Sequence, residues 1–285
     1  SEIWKGGKVE QAFTKAGQPQ KSIVGPQGLT PDFWSRMING KRAGKWHMHG
    51  HGLLPVWVLD GHKTINKGTI DKLTNFEAYP VMTTVSCFTG QFDSRKDPSI
   101  TETMLRKDKA GAIAIIAPAR EGVPVFAKRS DLQKMVTEGK MDGTTRILTH
   151  FWTKGLERNL TLGEAWVAAR SEMIKDAEGH PGYHWVQCEL NLLGDPTLDI
   201  RNSDPVEPRL EVAKSLKRGK QTVRVQTGVA EARVCLWMGD QVFVTGKTDA
   251  KGAAAIEVHI SKPGTLIVTV SGPHINAKQV KIAVK

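Results

Sequence analysis

Two uninterrupted apolar runs bracket a short capped segment in the first half of the chain, and that arrangement limits the fold more than any other feature. Residues 79–86 (YPVMTTVS) are β-branched or apolar and carry no charge. Such a run reads as a strand buried on both faces, as in a parallel sheet. Residues 111–117 (GAIAIIA) read the same way. Between them, residues 99–107 (SITETMLRK) predict a helix. Ser99 caps it, Glu102 stands three residues on, and Ile100, Met104 and Leu105 share a face. Strand, helix, strand over 79–117 is the pattern of a parallel α/β layer. The first run ends at Cys87, and Thr89-Gly90 then signal a turn. Cys87 is therefore expected at the carboxyl end of a central strand, where open α/β sheets place their ligands.

The flanking sequence extends this layer. Residues 1–32 are rich in Gly, Lys and Gln and weakly periodic, reading as irregular structure or the remnant of something cut away. Thr30-Pro31-Asp32 opens a short helix with Phe33, Trp34 and Met37 on one side, ended by Asn39-Gly40. A strand over about 45–49 leads into Gly50-His51-Gly52, and residues 71–76 form a short helix or turn. Leu162, Ala165, Trp166, Ala169 and Met173 predict a long helix over 162–175. Residues 184–193 read as a strand closed by Gly194-Asp195-Pro196.

Composition changes near Asn202-Ser203-Asp204-Pro205, where Pro205 and Pro208 stiffen a linker. Short alternating runs follow at 221–226, 232–237, 241–245, 253–260, 265–270 and 278–284, punctuated by Gly, Asp and Pro. That spacing indicates an all-β immunoglobulin-like sandwich. The expected domains are 1–204, α/β, and 205–285, all-β; two domains also suit a chain of 285 residues.

The net charge is +11, and residues 205–285 hold 13 Lys/Arg against 6 Asp/Glu. This favours a soluble, mildly anion-seeking surface, and no nucleic-acid partner is expected. No stretch approaches the ~18 apolar residues of a membrane span. The start lacks the basic-then-apolar order of a signal peptide, so a cytoplasmic protein or a mature or trimmed form is expected. Three cysteines, Cys87, Cys188 and Cys235, make no disulfide framework.

Two groups could carry chemistry. Cys87 as a nucleophile needs a base and donors for an oxyanion. His51 is a candidate base 36 residues upstream, consistent with neighbouring strands presenting both at one sheet edge. The competing reading of Cys87 is a buried structural thiol. His47, His49 and His51 alternate, so on a strand they face one way and could ligate a metal in a hydrolase. Further ligands could come from His150, His180 or His184, but none stands in a recognisable ligand motif.

Gly50-His51-Gly52 with Trp57, then Asn75, Tyr79-Pro80, Cys87-Phe-Thr-Gly-Gln-Phe-Asp93, Ile100-Thr-Glu102 and Gly111-Ala-Ile-Ala114, together resemble the catalytic core of the gingipain-type cysteine peptidases, relatives of the caspases. Gly163-Glu-Ala165 and Leu192-Leu-Gly-Asp-Pro196 are similar to the closing helix and strand of that domain, and the tail matches the family layout. The resemblance implies an α/β caspase-like domain, a mostly parallel sheet flanked by helices, followed by the immunoglobulin-like sandwich. It implies a cysteine endopeptidase acting on polypeptides. Cys87 matches the nucleophile, His51 the general base and acid, and the backbone N–H groups of Gly52 and Cys87 the oxyanion donors. Trp57 and Glu121 are candidate pocket residues, Glu121 because residues after the 111–117 strand line the pocket in the family. No metal and no cofactor is implied for catalysis; structural calcium is an expectation without assigned ligands.

The chain departs from the family before the His51 strand, where only about 45 residues stand in place of the segment that supplies the acid orienting the histidine. Asp60 and Glu77 match no family position, so that acid is unassigned. A processed product, a fragment and an inactive relative all fit this short start. An apolar sheet edge left without its first strands favours a missing partner, the chain's own N-terminal segment held noncovalently. The family also implies secretion or surface display. The alternatives are a non-catalytic surface binding protein on this scaffold and a histidine-ligated metal hydrolase.

Overall fold

The computed structural model describes residues 30–41, 44–59, 62–123, 143–158, 160–199, 205–272 and 274–285. The expectations for residues 1–29, for Asp60 and for the linker at 202–204 lie outside them. The chain divides into two units, Ser1–Ile200 and Arg201–Lys285.

In the first unit the helices are α1 (Pro31–Lys41), α2 (Lys67–Asp71), α3 (Ile100–Leu105), α4 (Gly143–Arg158), α5 (Leu162–Ser171), α6 (Ile174–Gly179) and α7 (Pro181–Glu189). The strands are β1 (Lys45–Met48), β2 (His51–Leu53), β3 (Val56–Val58), β4 (Thr64–Ile65), β5 (Val81–Thr84), β6 (Ala114–Pro118) and β7 (Leu190–Gly194). The main sheet runs β1-β5-β6-β7, with the first three strands parallel and β7 antiparallel. A second small sheet, β2-β3-β4, is antiparallel.

Both faces of the main sheet are covered at its centre, which is why β5 and β6 show no polar alternation. Val81, Ala114 and Ile116 pack with Phe151, Trp152 and Trp166 on one face. Met82, Ile115 and Ala117 pack with Trp34, Trp57 and Ile100 on the other. Each fully buried large side chain contributes about 1.5–3 kcal/mol. Helix α3 begins as its sequence dictates: Ser99 Oγ accepts from Glu102 N–H, and the Glu102 carboxylate accepts from Ser99 N–H.

Two expectations change, and one helix is new. The helix expected over 162–175 divides into α5 and α6, with a turn at Glu172 and Met173. Of the run 184–193 expected as strand, residues 184–189 are helical, in α7, and only the end of the run is extended, in Leu190–Gly194. Pro181 at the first turn and the His180 ring, which accepts from Gly182 N–H, start that helix against the β-propensity of Tyr183, Trp185 and Val186. Helix α4 was not anticipated, because threonines interrupt its apolar stripe.

The second unit is a two-sheet sandwich. Its strands are β8 (Glu211–Val212), β9 (Ser215–Leu216), β10 (Gly219–Gln226), β11 (Arg233–Met238), β12 (Val242–Lys247), β13 (Ala253–Ile260), β14 (Gly264–Ser271) and β15 (Lys278–Val284). One sheet is β13-β10-β8 and the other β12-β11-β14-β15-β9. Period-2 alternation turns Ala254, Ile256, Val258 and Ile260 inward against Val234, Leu236 and Val268.

Candidate active site

The site forms where the two sheets of the first unit meet. Strand β1 runs beside β5 and ends at Met48, whose carbonyl accepts from Val85 N–H. The chain then turns through His49 and Gly50 into β2, so His51 and Gly52 cross the carboxyl end of β5. Gly52 is required there. A Cβ at this position would stand 2.5 Å from Thr89 Cγ2, 2.7 Å from the Cys87 carbonyl oxygen and 2.8 Å from Ser86 Cβ. Contacts that short do not occur, so only glycine lets this backbone lie against the Cys87 turn.

Cys87 is half-buried and opens the turn over residues 87–90. Ser86 N–H donates to Thr84 Oγ1, and Thr89 Oγ1 donates to the Ser86 carbonyl at 2.7 Å. Phe88 takes a left-handed conformation, φ 61°, rare for an aromatic residue, and its N–H donates to the Arg120 carbonyl at 2.8 Å. Gly90 N–H donates to the Pro118 carbonyl at 2.8 Å. Cys87 Sγ lies 3.6 Å from the Gly122 carbonyl oxygen. The Cys87 N–H makes no hydrogen bond among the described residues. A strained residue directly after the thiol is the kind of feature that clusters at functional sites.

His51 is exposed, in register with Val58 across the β2-β3 hairpin. The other histidines of the cluster do different work. His47 keeps an exposed edge, but its Nδ1 is bonded to Thr83 Oγ1 at 2.8 Å. Trp152 Nε1 donates to the same hydroxyl at 3.0 Å. Burial of this side of the ring, with His49 beside it, pushes the His47 pKa down, and burial also lowers that of His49. Among the described residues no group of three or more His, Cys, Asp or Glu is placed to hold a metal ion.

The two candidate pocket residues part company. Trp57 is 1 % exposed, with its ring 6.1 Å from that of Trp34, so it belongs to the core and offers no face to a substrate. Glu121 is exposed, and its carbonyl accepts from Trp185 Nε1 at 2.9 Å. Sequence reasoning passed over two neighbours of the turn. Arg120 makes a bidentate pair with Asp93, the last residue of the cysteine motif, and this hydrogen-bonded pair holds the Asp93 carboxyl below its ordinary range. Gly122, whose Cβ would stand 2.6 Å from the Val85 carbonyl oxygen, brings the backbone to the thiol. Neither pairing has a local signature, although the glycine was a hint.

A thiol at the carboxyl end of a buried parallel strand, with a His-Gly step packed on its backbone, defines a class of α/β proteins built to present a cysteine. The chain matches the family model described as Peptidase family C25 over residues 8–201, and it belongs to that family. No curated protein sequence matches it. The fold is similar to the crystal structure of the Arg-specific cysteine proteinase gingipain R (RgpB), with TM-score 0.68 and 20% identity, covering 90% of this chain and 56% of that one. It is also similar to the complex of Porphyromonas gingivalis RgpB pro- and mature domains, with TM-score 0.64, 21% identity and coverage of 90% and 58%. A third structure, described as a protease, gives TM-score 0.63 at 18% identity, covering 88% and 56%. The chain thus spans a little over half the length of the solved structures it matches.

Proposed function

We propose that this chain carries the nucleophile and base of a cysteine endopeptidase. The observation that supports it most is the seating of the His51-Gly52 backbone against the Cys87 carbonyl, which only glycine permits. In this reading the Cys87 thiolate attacks a peptide carbonyl, forming the S–C bond. The carbonyl electron pair moves to oxygen, where the N–H groups of Gly52 and Cys87 receive it. Collapse breaks the C–N bond as His51 gives its proton to the leaving amine. Water then displaces the acyl group, with His51 taking the proton, and the thiol returns.

Glu121 is the candidate pocket carboxylate, exposed on the segment that touches the thiol. The acid that orients His51 is proposed to come from outside the described residues. The chain's own N-terminal segment is the proposed noncovalent partner. Strand β1 is the edge of the main sheet among the described residues, and the pro- and mature domains of RgpB have been solved as a complex. The sandwich is proposed to be immunoglobulin-like, and export or surface display follows from the family resemblance. Among the described residues no helix is long and apolar enough to cross a membrane.

The test is hydrolysis of a mixed peptide library by the full chain and its C87S and H51A variants. Cleavage that vanishes in C87S and falls about 10²–10⁴-fold in H51A supports the reading. Cleavage retained in C87S overturns it.

A further inference from the structure

Residues 119–123, which follow β6, run between the Cys87 turn and the helical layer, and their polar groups alternate in direction. On one edge, the Arg120 carbonyl accepts from Phe88 N–H at 2.8 Å and the Gly122 carbonyl lies 3.6 Å from Cys87 Sγ. On the other, Ala119 N–H donates to the Glu189 carbonyl at 2.7 Å, and the Glu121 carbonyl accepts from Trp185 Nε1 at 2.9 Å. On this second edge too, the Val123 carbonyl accepts from Thr144 N–H at 2.8 Å. The segment is a strap that transmits the position of the helices to the thiol.

Two of the three helical ties converge on Glu189. Its backbone carbonyl holds Ala119. Its Oε1 accepts from Thr144 Oγ1 at 3.0 Å, and Thr144 in turn holds Val123. Glu189 is 2 % exposed, and its Oε2 has no hydrogen-bond partner among the described residues. A buried carboxyl satisfied on one side only is destabilising in itself, so its presence calls for a reason beyond packing. We propose that Glu189 is a positioning residue for Cys87, fixing both ends of the 119–123 strap and so holding the Gly122 carbonyl against the thiol. The inference rests on the reading of Cys87 as the nucleophile. Burial pushes the Glu189 carboxyl up to about 8, so at neutral pH it is mostly protonated and accepts from Thr144 as a neutral group.

A loosened strap has two opposite consequences. Withdrawing the Gly122 carbonyl frees the thiol from its fixed contact, so an alkylating reagent reaches Cys87 more readily. Peptide turnover falls, because the thiol loses its fixed place beside Gly52. Destabilisation of the first unit would also expose Cys87 and lower turnover, so the pairing is read only in variants whose urea midpoint for that unit matches the parent's.

The experiment is site-resolved iodoacetamide alkylation of the full chain at pH 7, followed by mass spectrometry, with Cys235 in the second unit as internal reference. In E189A and T144V, Cys87 is expected to react about fivefold faster relative to Cys235, and peptide turnover to fall about tenfold. E189Q keeps an uncharged oxygen acceptor for Thr144 and is expected to stay within about twofold of the parent in both. T144V deletes only the hydroxyl link and decides the matter if E189A does not fold. An unchanged Cys87 rate in folded variants, or Cys87 and Cys235 accelerating together, overturns the proposal. Alkylation needs no peptidase activity, so a chain that cleaves without Cys87 would refute the peptidase reading while leaving this measurement interpretable.

Discussion

At the residue scale the site depends on a missing Cβ. Gly52→Ala would press a methyl group into the Cys87 carbonyl, Thr89 and Ser86 at once, and two of these belong to a turn pinned by its own hydrogen bonds. The hairpin must move instead. A displacement of about 1 Å at the reacting groups costs about 10²-fold in turnover, and the overpacking about 1–3 kcal/mol of stability. Steady-state hydrolysis and urea unfolding of G52A measure the two separately. Glu189 gives a second prediction, with a definite sign. Its folded pKa of about 8 lies above the 4.5 of an ordinary glutamate, so between these values the folded state holds a proton that the unfolded state has lost. The stability this group confers is full below about 4.5, declines as pH rises, and is gone once pH passes about 8. Urea unfolding between pH 5 and pH 9 is expected to show that decline, and E189Q to flatten it.

At the scale of elements, Ser99 is the simplest lever on the site. Its capping box starts α3, and Thr101 of that helix donates its hydroxyl proton to the Thr89 carbonyl in the cysteine turn. Ser99→Ala is expected to cost about 0.5–2 kcal/mol, visible as a lowered Tm. This helix start was legible because its signal is local, four residues long and made of side chains that bond their own backbone. The buried strands were legible because burial on both faces leaves an unbroken apolar run. The helix over Pro181–Glu189 was not, because Tyr183, Trp185 and Val186 carry β-propensity that its cap and packing override. The strap was invisible for another reason. Cys87 with Gly122, Thr144 with Glu189 and Trp185 with Glu121 are 35, 45 and 64 residues apart, and only the closed fold brings them together. His51 and Cys87 were named from a motif, whereas Trp57, chosen from the same motif, is a core residue because every second side chain of its hairpin turns inward.

At the scale of the whole molecule, the chain builds separate cores. That of the second unit runs from Val223 to Val284, and those of the first lie between Trp34 and Leu190, with no residue in common. Val268→Ala, in the middle of the sandwich, is expected to destabilise that unit by about 1–3 kcal/mol in urea unfolding while Cys87 alkylates at an unchanged rate. Among the described residues β1 and β7 are the two edges of the main sheet, and β1 is the one next to the candidate histidine. That geometry is the reason an N-terminal partner belongs in the proposal.

The most direct test of the central claim is active-site titration of the full chain with a peptidyl acyloxymethyl ketone library varied at the residue before the scissile bond, read by intact-mass and peptide mass spectrometry. One adduct per chain is expected, on Cys87, lost in H51A and absent from Cys188 and Cys235. Labelling absent from Cys87, or equal at all three cysteines, would contradict it and leave a scaffold that presents a thiol without using it.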